Sequence, residues 1–302
     1  MRNIEATLPC LMRFLTLTIK CMVSNSFSLA FVFLYNCIIC SIFHIHHWCN
    51  SLCATIVSSF FSPVGVAGDY KEGYYIGVDV PENDPESEKP FNGPNVWPAD
   101  GVLPGWRQTM EKFHHEALEV GKAVSRIIAL ALDLEVDFFD KPEVLGKPIA
   151  TLRLLHYEDQ FSDPAKGIYG AGAHSDFGFI TLLATDDVMG LQICKDKDAK
   201  PQIWEYVTPI KGAFIVNLGD MLERWSNCMF KSTLHRVLGN GQDRYSIAYF
   251  VEPNHDSLVE CLPTCRTEKC PPKFPPIRCS TYLSQRYKET HADLSVYDKH
   301  QA

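Results

Sequence analysis

Three residues of the chain have the types and spacing to hold a metal from one side. His174 and Asp176 are separated by a single residue in Gly172-Ala173-His174-Ser175-Asp176-Phe177-Gly178. On a strand, residues i and i+2 point to the same face, so a strand end can present both side chains to one ion. A second histidine, His235, follows 61 residues later in Ser232-Thr233-Leu234-His235-Arg236-Val237. Two imidazoles and one carboxylate on one side of an ion form the facial triad of non-haem Fe(II) chemistry. Three positions stay open, which is what binding a substrate and O2 requires. Nine residues past His235 come Arg244-Tyr245-Ser246, and Arg244 and Ser246 again share a strand face. A guanidinium grips a carboxylate through two parallel hydrogen bonds, and a hydroxyl adds a third. The pair suits the far carboxylate of a dicarboxylic keto acid whose 2-oxo acid end chelates the iron. Each piece alone is weak: His-x-Asp recurs by chance, and Arg-x-Ser reads equally as a strand arginine in a salt bridge. Order, spacing and β context together carry the assignment.

The elements that must position these residues are legible in the same stretch. From Ile149 onward, ATLRLLHY, FITLLATD, LQIC, WEYVTPI, AFIVNLGD, STLHRVLG and YSIAYFVEP are β-rich runs separated by Gly, Asp and Pro clusters. Many short strands at this spacing predict a sandwich or a double-sheet jelly roll, mainly β with flanking helices. Ahead of them, Trp106, Met110, Phe113, Ala117, Val120, Val124, Ile127 and Ala131 recur every three or four residues. That period predicts a long amphipathic helix packed on a sheet, with His114 and His115 on its surface. Residues 81–105, rich in Pro, Gly and acids, read as a surface connection. PPKFPP at 271–276 reads as a rigid extended link, followed by a short closing helix in TYLSQRYKETH.

The chain of 302 residues is 46% apolar and 21% charged with a formal net charge of −8, which suits a globular protein and excludes nucleic-acid binding by bulk electrostatics. Composition changes abruptly near Pro63. Residues 1–62 form a hydrophobic, Cys-rich segment holding Cys10, Cys21, Cys37, Cys40, Cys49 and Cys53, six of the twelve cysteines. Residues 27–43 carry no formal charge, slightly short of the roughly 20 residues of a membrane span. A single membrane anchor is one reading; a buried apolar segment or a stretch never selected as protein, such as a mis-joined exon, is the other, and the last is favoured. His44, His46 and His47 show no recurring ligand spacing. Residues 63–302 form the expected catalytic domain, with its jelly-roll core at about 148–255. Cys261, Cys265, Cys270 and Cys279 lack the C-x2-C spacing of structural zinc and are read as reduced loop thiols. A cytoplasmic monomer acting on a small molecule is expected.

From about Gly68 to His291 the chain resembles the plant 2-oxoglutarate and Fe(II)-dependent dioxygenases, the superfamily of isopenicillin N synthase and anthocyanidin synthase. The resemblance rests on H-S-D-F-G, V-N-L-G-D-M-L-E-R-W-S-N, K-S-T-L-H-R-V and R-Y-S-I-A-Y-F, in that order. It implies a double-stranded β-helix jelly roll, with His174, Asp176 and His235 as iron ligands. It also implies that Arg244 and Ser246 bind 2-oxoglutarate and that Tyr157 contacts the same co-substrate. The implied reaction, in plant secondary metabolism, consumes O2, gives succinate and CO2, and hydroxylates or desaturates a small organic molecule, with ascorbate as a supporting reductant. Phe177 and Phe250 are candidates for an apolar substrate wall, or alternatively ordinary core. Where the family often has Asn-x-Tyr the chain has Leu155-His156-Tyr157, so only Tyr157 carries over. Nothing in residues 1–62 matches the strand-rich opening of the family. That leaves open a larger sheet incomplete on its N-terminal side, and an alternative identity as a binding relative without turnover.

Overall fold

A computed structural model describes residues 69–290. The apolar run 27–43, His44, His46, His47 and the six early cysteines lie outside the described residues.

Two antiparallel sheets face each other. The larger is ordered β1 (Glu72–Ile76), β2 (Pro148–Tyr157), β9 (Arg244–Asn254), β4 (Ile180–Thr185), β7 (Ile215–Leu218). The smaller is ordered β3 (Ala171–His174), β8 (His235–Val237), β5 (Leu191–Asp196), β6 (Ile203–Tyr206). From β2 to β9 the strands alternate between the sheets in the double-stranded β-helix pattern, except that β5 and β6 form a hairpin within the smaller one. Strand β1 forms an outer edge of the larger sheet beside β2. A two-residue pair, β10 (Leu258–Val259) with β11 (Ile277–Arg278), lies apart.

The pleat sorts the side chains of the larger sheet into two sets. Leu152, Leu154, Ile180, Leu182, Ile247, Tyr249 and Val251 face outward into the main core. They pack under helix α1 (Trp106–Ala131), whose Met110, Phe113, Ala117, Val124 and Ile128 are buried. Leu155, Tyr157, Leu183 and Ile215 face inward and meet Ala171, Leu191 and Val237 of the smaller sheet. The site therefore lies between the sheets, and α1 supports it from behind. The remaining α-helices among the described residues are α2 (Pro142–Leu145), α3 (Asp220–Trp225) and α4 (Cys279–Thr290), the last being the closing helix expected from the sequence.

Two details of α1 differ from its sequence reading. The buried stripe runs through Gly121 and Ile128, while Val120 and Ile127 sit at its margin. Gly121 belongs there because Val251 comes so close that a Cβ would stand 2.8 Å from its Cγ2. His114 is not a surface residue. Its ring packs edge-on to Tyr249 at 5.0 Å and Nδ1 and Nε2 lie within hydrogen-bonding distance of Tyr249 Oη and Ala150 O. A histidine beside Phe113 on the stripe margin reaches the sheet, whereas His115 points away and is exposed. Residues 271–276 carry no regular structure, as expected. The four C-terminal cysteines are free thiols, as expected; Cys261 and Cys265 lie in connecting segments yet are buried, Cys279 is buried at the start of the closing helix, and Cys270 is exposed.

His156 binds three strand ends together. It is buried on β2, with Nδ1 2.7 Å from Glu72 Oε1 of β1, Nε2 2.9 Å from Asp243 Oδ1 ahead of β9, and its ring stacked 4.6 Å from Tyr245. Burial pushes its pKa down, but the two carboxylates outweigh this and hold it above the ordinary 6.5. A raised histidine pKa contributes stability that is full below about 6.5 and lost as pH climbs through the raised value. The gap in melting temperature between the native chain and His156→Gln should accordingly be widest in mild acid and narrow at alkaline pH. A gap that does not change with pH would assign His156 a packing role alone.

Candidate metal centre

The triad is assembled by strand pairing. Strand β3 ends on His174 and β8 begins on His235, and the two are register partners in the smaller sheet. Their ring centroids are 4.3 Å apart. Each imidazole donates its Nδ1–H to a backbone carbonyl two residues earlier, His174 to Gly172 at 2.7 Å and His235 to Thr233 at 2.8 Å. That bond fixes the tautomer and leaves each Nε2 lone pair for a metal.

Asp176 completes the set from the turn after β3. Its Oδ1 lies 3.9 Å from His174 Nε2 and 3.7 Å from His235 Nε2. Its Oδ2 accepts from Thr181 Oγ1 at 2.6 Å and Asn217 Nδ2 at 2.7 Å. Thr181 and Asn217 are themselves register partners on β4 and β7. One carboxylate oxygen is thus tied to the larger sheet and the other is turned to the imidazoles of the smaller one. Burial pushes the Asp176 carboxyl up, but the neighbouring His235 imidazole and the hydrogen bonds from Asn217 and Thr181 win and hold it below the usual value. His174 keeps an exposed outer edge, yet its pKa is pushed down, first by lost hydration and then by His235. An ionised carboxylate beside a histidine that resists protonation is the state a cation needs.

The turn carrying Asp176 is clamped on two sides. From α3, the N–H of Asp220 donates to Asp176 O at 2.8 Å and that of Met221 to Phe177 O at 3.0 Å. The Asp220 carboxylate accepts from Ser175 Oγ at 3.0 Å and from Arg286 of α4 at 3.0 Å. From β9, Glu252 accepts the N–H of Phe179 at 2.7 Å. Its burial pushes that carboxyl well above the ordinary range. Two glycines make the clamp possible: a Cβ on Gly219 would stand 2.2 Å from Gly178 O, and one on Gly178 only 1.8 Å from both Glu252 oxygens.

Deeper between the sheets, Arg244 and Tyr157 are register partners, with the guanidinium 5.1 Å from the phenol ring. Arg244 and Ser246 are 4% and 1% exposed. Arg244 Nη1 and Ser246 Oγ are both buried without a hydrogen-bond partner. An unpaired buried donor of this kind costs about 1–3 kcal/mol, so two converging ones mark a place made for an acceptor. Phe250, on the same inner face, lies directly across from Thr181. Phe177 packs against α4, 5.4 Å from Tyr287 and 4.8 Å from Arg286. Thr181, Asn217, Glu252 and Arg286 escaped the sequence reading. The one available signal was Asn217, a polar residue inside the apolar run AFIVNL.

Among the described residues, the His174, Asp176 and His235 ligand atoms form the one group close enough to share an ion, all within 4.8 Å of one another. Bonds of about 2.1 Å allow donors at most about 4.2 Å apart, and both histidine–carboxylate separations fall inside that limit. The donor set fits Fe(II) with an open face, and the orphaned Arg244 and Ser246 fit a carboxylate beside it. The fold and the site together define a jelly-roll protein with a facial-triad metal centre.

Known proteins agree. The family model described as 2OG-Fe(II) oxygenase superfamily matches residues 148–253. The chain is 53% identical over 226 residues to kihadalactone A synthase LFS of Citrus sinensis, covering 74% of this chain and 67% of that protein. It is 48% identical over 225 residues to azadirone synthase LFS of Melia azedarach, covering 74% and 68%. The solved structure of Neurospora crassa T7H in complex with alpha-KG and thymine matches with a TM-score of 0.64 at 33% identity, covering 78% of this chain and 72% of that one. The chain belongs to the 2-oxoglutarate and Fe(II)-dependent oxygenases, a superfamily of oxidoreductases.

His174→Ala and Asp176→Ala should each abolish stoichiometric Fe(II) binding measured anaerobically. Retention of the metal by both variants would remove these residues from the ligand set. Gly219→Ala should lower Fe(II) affinity by roughly 10- to 100-fold by displacing the turn, the range seen when groups supporting a metal ligand are disturbed. Unchanged affinity there would show that the α3 clamp is dispensable.

Proposed function

We propose that the protein is an oxygenase that holds Fe(II) on His174, Asp176 and His235 and 2-oxoglutarate on Arg244, Ser246 and Tyr157. In this reading it hydroxylates or desaturates a small organic metabolite. The observation that carries the reading is the pair of buried, partnerless groups, Arg244 Nη1 and Ser246 Oγ, beside an open-faced His–Asp–His cluster. When bound, Fe(II) and 2-oxoglutarate supply the oxidising chemistry, with O2 consumed and succinate and CO2 released.

The chain's own residues bind, orient and exclude water. Arg244 anchors the distal carboxylate of the co-substrate by a charge-assisted pair, and Ser246 adds a hydrogen bond. Tyr157 backs the guanidinium with its ring face, which holds its orientation. Leu155, Leu183, Leu191 and Val237 line the same region and keep it dry, so each polar contact there is worth more than in water. Leu155 occupies the place where an amide is common in this superfamily, so co-substrate binding rests on Arg244, Ser246 and Tyr157. The thymine in the Neurospora neighbour supports a small organic substrate for this site as well. Ascorbate as a supporting reductant and a cytoplasmic monomer complete the proposal. Among the described residues no helix is long and apolar enough to cross a membrane.

The test is succinate formation from 2-oxoglutarate with Fe(II), O2 and ascorbate, measured with and without candidate substrates. Turnover, even uncoupled, supports the enzyme. Binding of 2-oxoglutarate with no succinate under any condition would favour a binding relative instead. Arg244→Ala should weaken 2-oxoglutarate binding by roughly 10- to 150-fold with Fe(II) retained, the worth of a hydrogen bond to a charged group. Equal co-substrate affinity in the variant would take Arg244 out of the site.

A further inference from the structure

The loop that follows β4 wraps around Arg244. Strand β4 ends at Thr185, the register partner of Ser246 on β9. One residue further, Asp186 lies across from Tyr245 and donates its N–H to Tyr245 O at 3.1 Å. Its carboxylate makes two more contacts: Oδ2 accepts the N–H of Tyr245 at 2.5 Å, and Oδ1 accepts the N–H of Val188 at 3.1 Å. Tyr245 is thus held at both its N–H and its carbonyl. Those two groups belong to the peptide units that join it to Arg244 on one side and to Ser246 on the other. Peptide units are planar, so holding both restricts the direction in which the two neighbouring side chains leave the strand.

The far end of the loop touches the arginine side chain itself. Val188 O accepts from Arg244 Nε at 3.3 Å. Gly190 packs so closely that a Cβ would stand 3.0 Å from Arg244 Cδ and 3.2 Å from Nε. The carbonyl of Gly190 is tied down in turn by the N–H of Leu238 at 2.9 Å. Val188 is held at its N–H by Asp186 while its carbonyl holds Arg244, so one short chain of contacts runs from the carboxylate to the guanidinium. That chain uses Nε and leaves Nη1 buried and unpaired. Burial pushes the Asp186 carboxyl above its ordinary value, against the pull of the Tyr245 amide and of the Arg244 charge. Both its oxygens are engaged by backbone amides, the use of an aspartate that shapes a turn.

We propose that Asp186 is a positioning residue for Arg244: it sets loop 186–190 and the start of β9 so that the guanidinium keeps Nη1 free for the distal carboxylate of the co-substrate. The inference rests on the reading of Arg244 as the 2-oxoglutarate anchor and adds the group that aims it.

The experiment is calorimetric titration of the full chain loaded with Mn(II), using 2-oxoglutarate and oxalate. Oxalate has a metal-chelating pair of oxygens but no distal carboxylate, so it reports on the metal and the fold without Arg244. Asp186→Ala should weaken 2-oxoglutarate by roughly tenfold, as for a misdirected hydrogen bond from a charged donor, and leave oxalate within about twofold. Asp186→Asn keeps one acceptor oxygen and should recover part of the loss. In an Arg244→Ala background Asp186→Ala should cost nothing more, because the group it aims is gone. Gly190→Ala crowds Arg244 from the same loop and should show the same selective loss, which keeps the test decisive if Asp186→Ala does not fold. Equal losses for both ligands, no loss for 2-oxoglutarate, or a full further loss in the Arg244→Ala background overturns the proposal. The co-substrate reading fails separately, by native 2-oxoglutarate affinity in Arg244→Ala alone.

Discussion

The structure turns on one buried carboxylate. Asp176 is 8% exposed and ionised, and an unpaired charge at such a depth is untenable. Its two oxygens are divided between two jobs. Oδ2 is held by Thr181 and Asn217 of the larger sheet, and Oδ1 faces the imidazoles of the smaller one. The carboxylate therefore ties the two sheets together at the place where they must also leave a metal accessible. The α3 backbone amides, Asp220, Arg286 and Glu252 all serve to keep the turn bearing Asp176 in that position.

A gradient of polarity runs inward from there. The triad region is rich in hydrogen bonds and partly open, with His174 the most exposed ligand. Toward Arg244 the lining becomes apolar and sealed, formed by Leu155, Leu183, Leu191 and Val237. Toward Phe250 and Arg153 it becomes aromatic, with α4 and β1 contributing Tyr287 and Tyr75. Polar, apolar and aromatic surroundings thus meet on one inner face, set out by the pleat of a few strands. The closing helix is part of this arrangement, since it brings Arg286 to the iron turn and Tyr287 to Arg153.

Much of this was legible in the sequence, for a physical reason: strand pleat and helix period are local rules. The two-residue alternation that puts Arg244 with Ser246 on one face also puts Tyr245 and Ile247 on the other, and the structure keeps both sets apart. The period of α1 fixed its span, Trp106–Ala131, but misjudged its buried line by a residue at Val120 and Ile127. There a close approach by Val251 made Gly121 an interior position, which hydrophobicity alone does not reveal. His114 was misread because a margin residue's environment depends on what lies opposite, here Tyr249 and Ala150.

What the sequence determined by itself was the chemistry on offer: two imidazoles and a carboxylate at one spacing, an arginine and a serine at another, and the alternation that places them. Only the tertiary structure decided which partners orient them. Thr181 and Asn217 reach Asp176 because β4 pairs with β7, and His174 meets His235 because β3 pairs with β8. Arg153 meets Tyr75, Phe250 and Tyr287 because β1, β9 and α4 come together around it. Strand register and helix docking are long-range choices made by burial, and no local spacing encodes them.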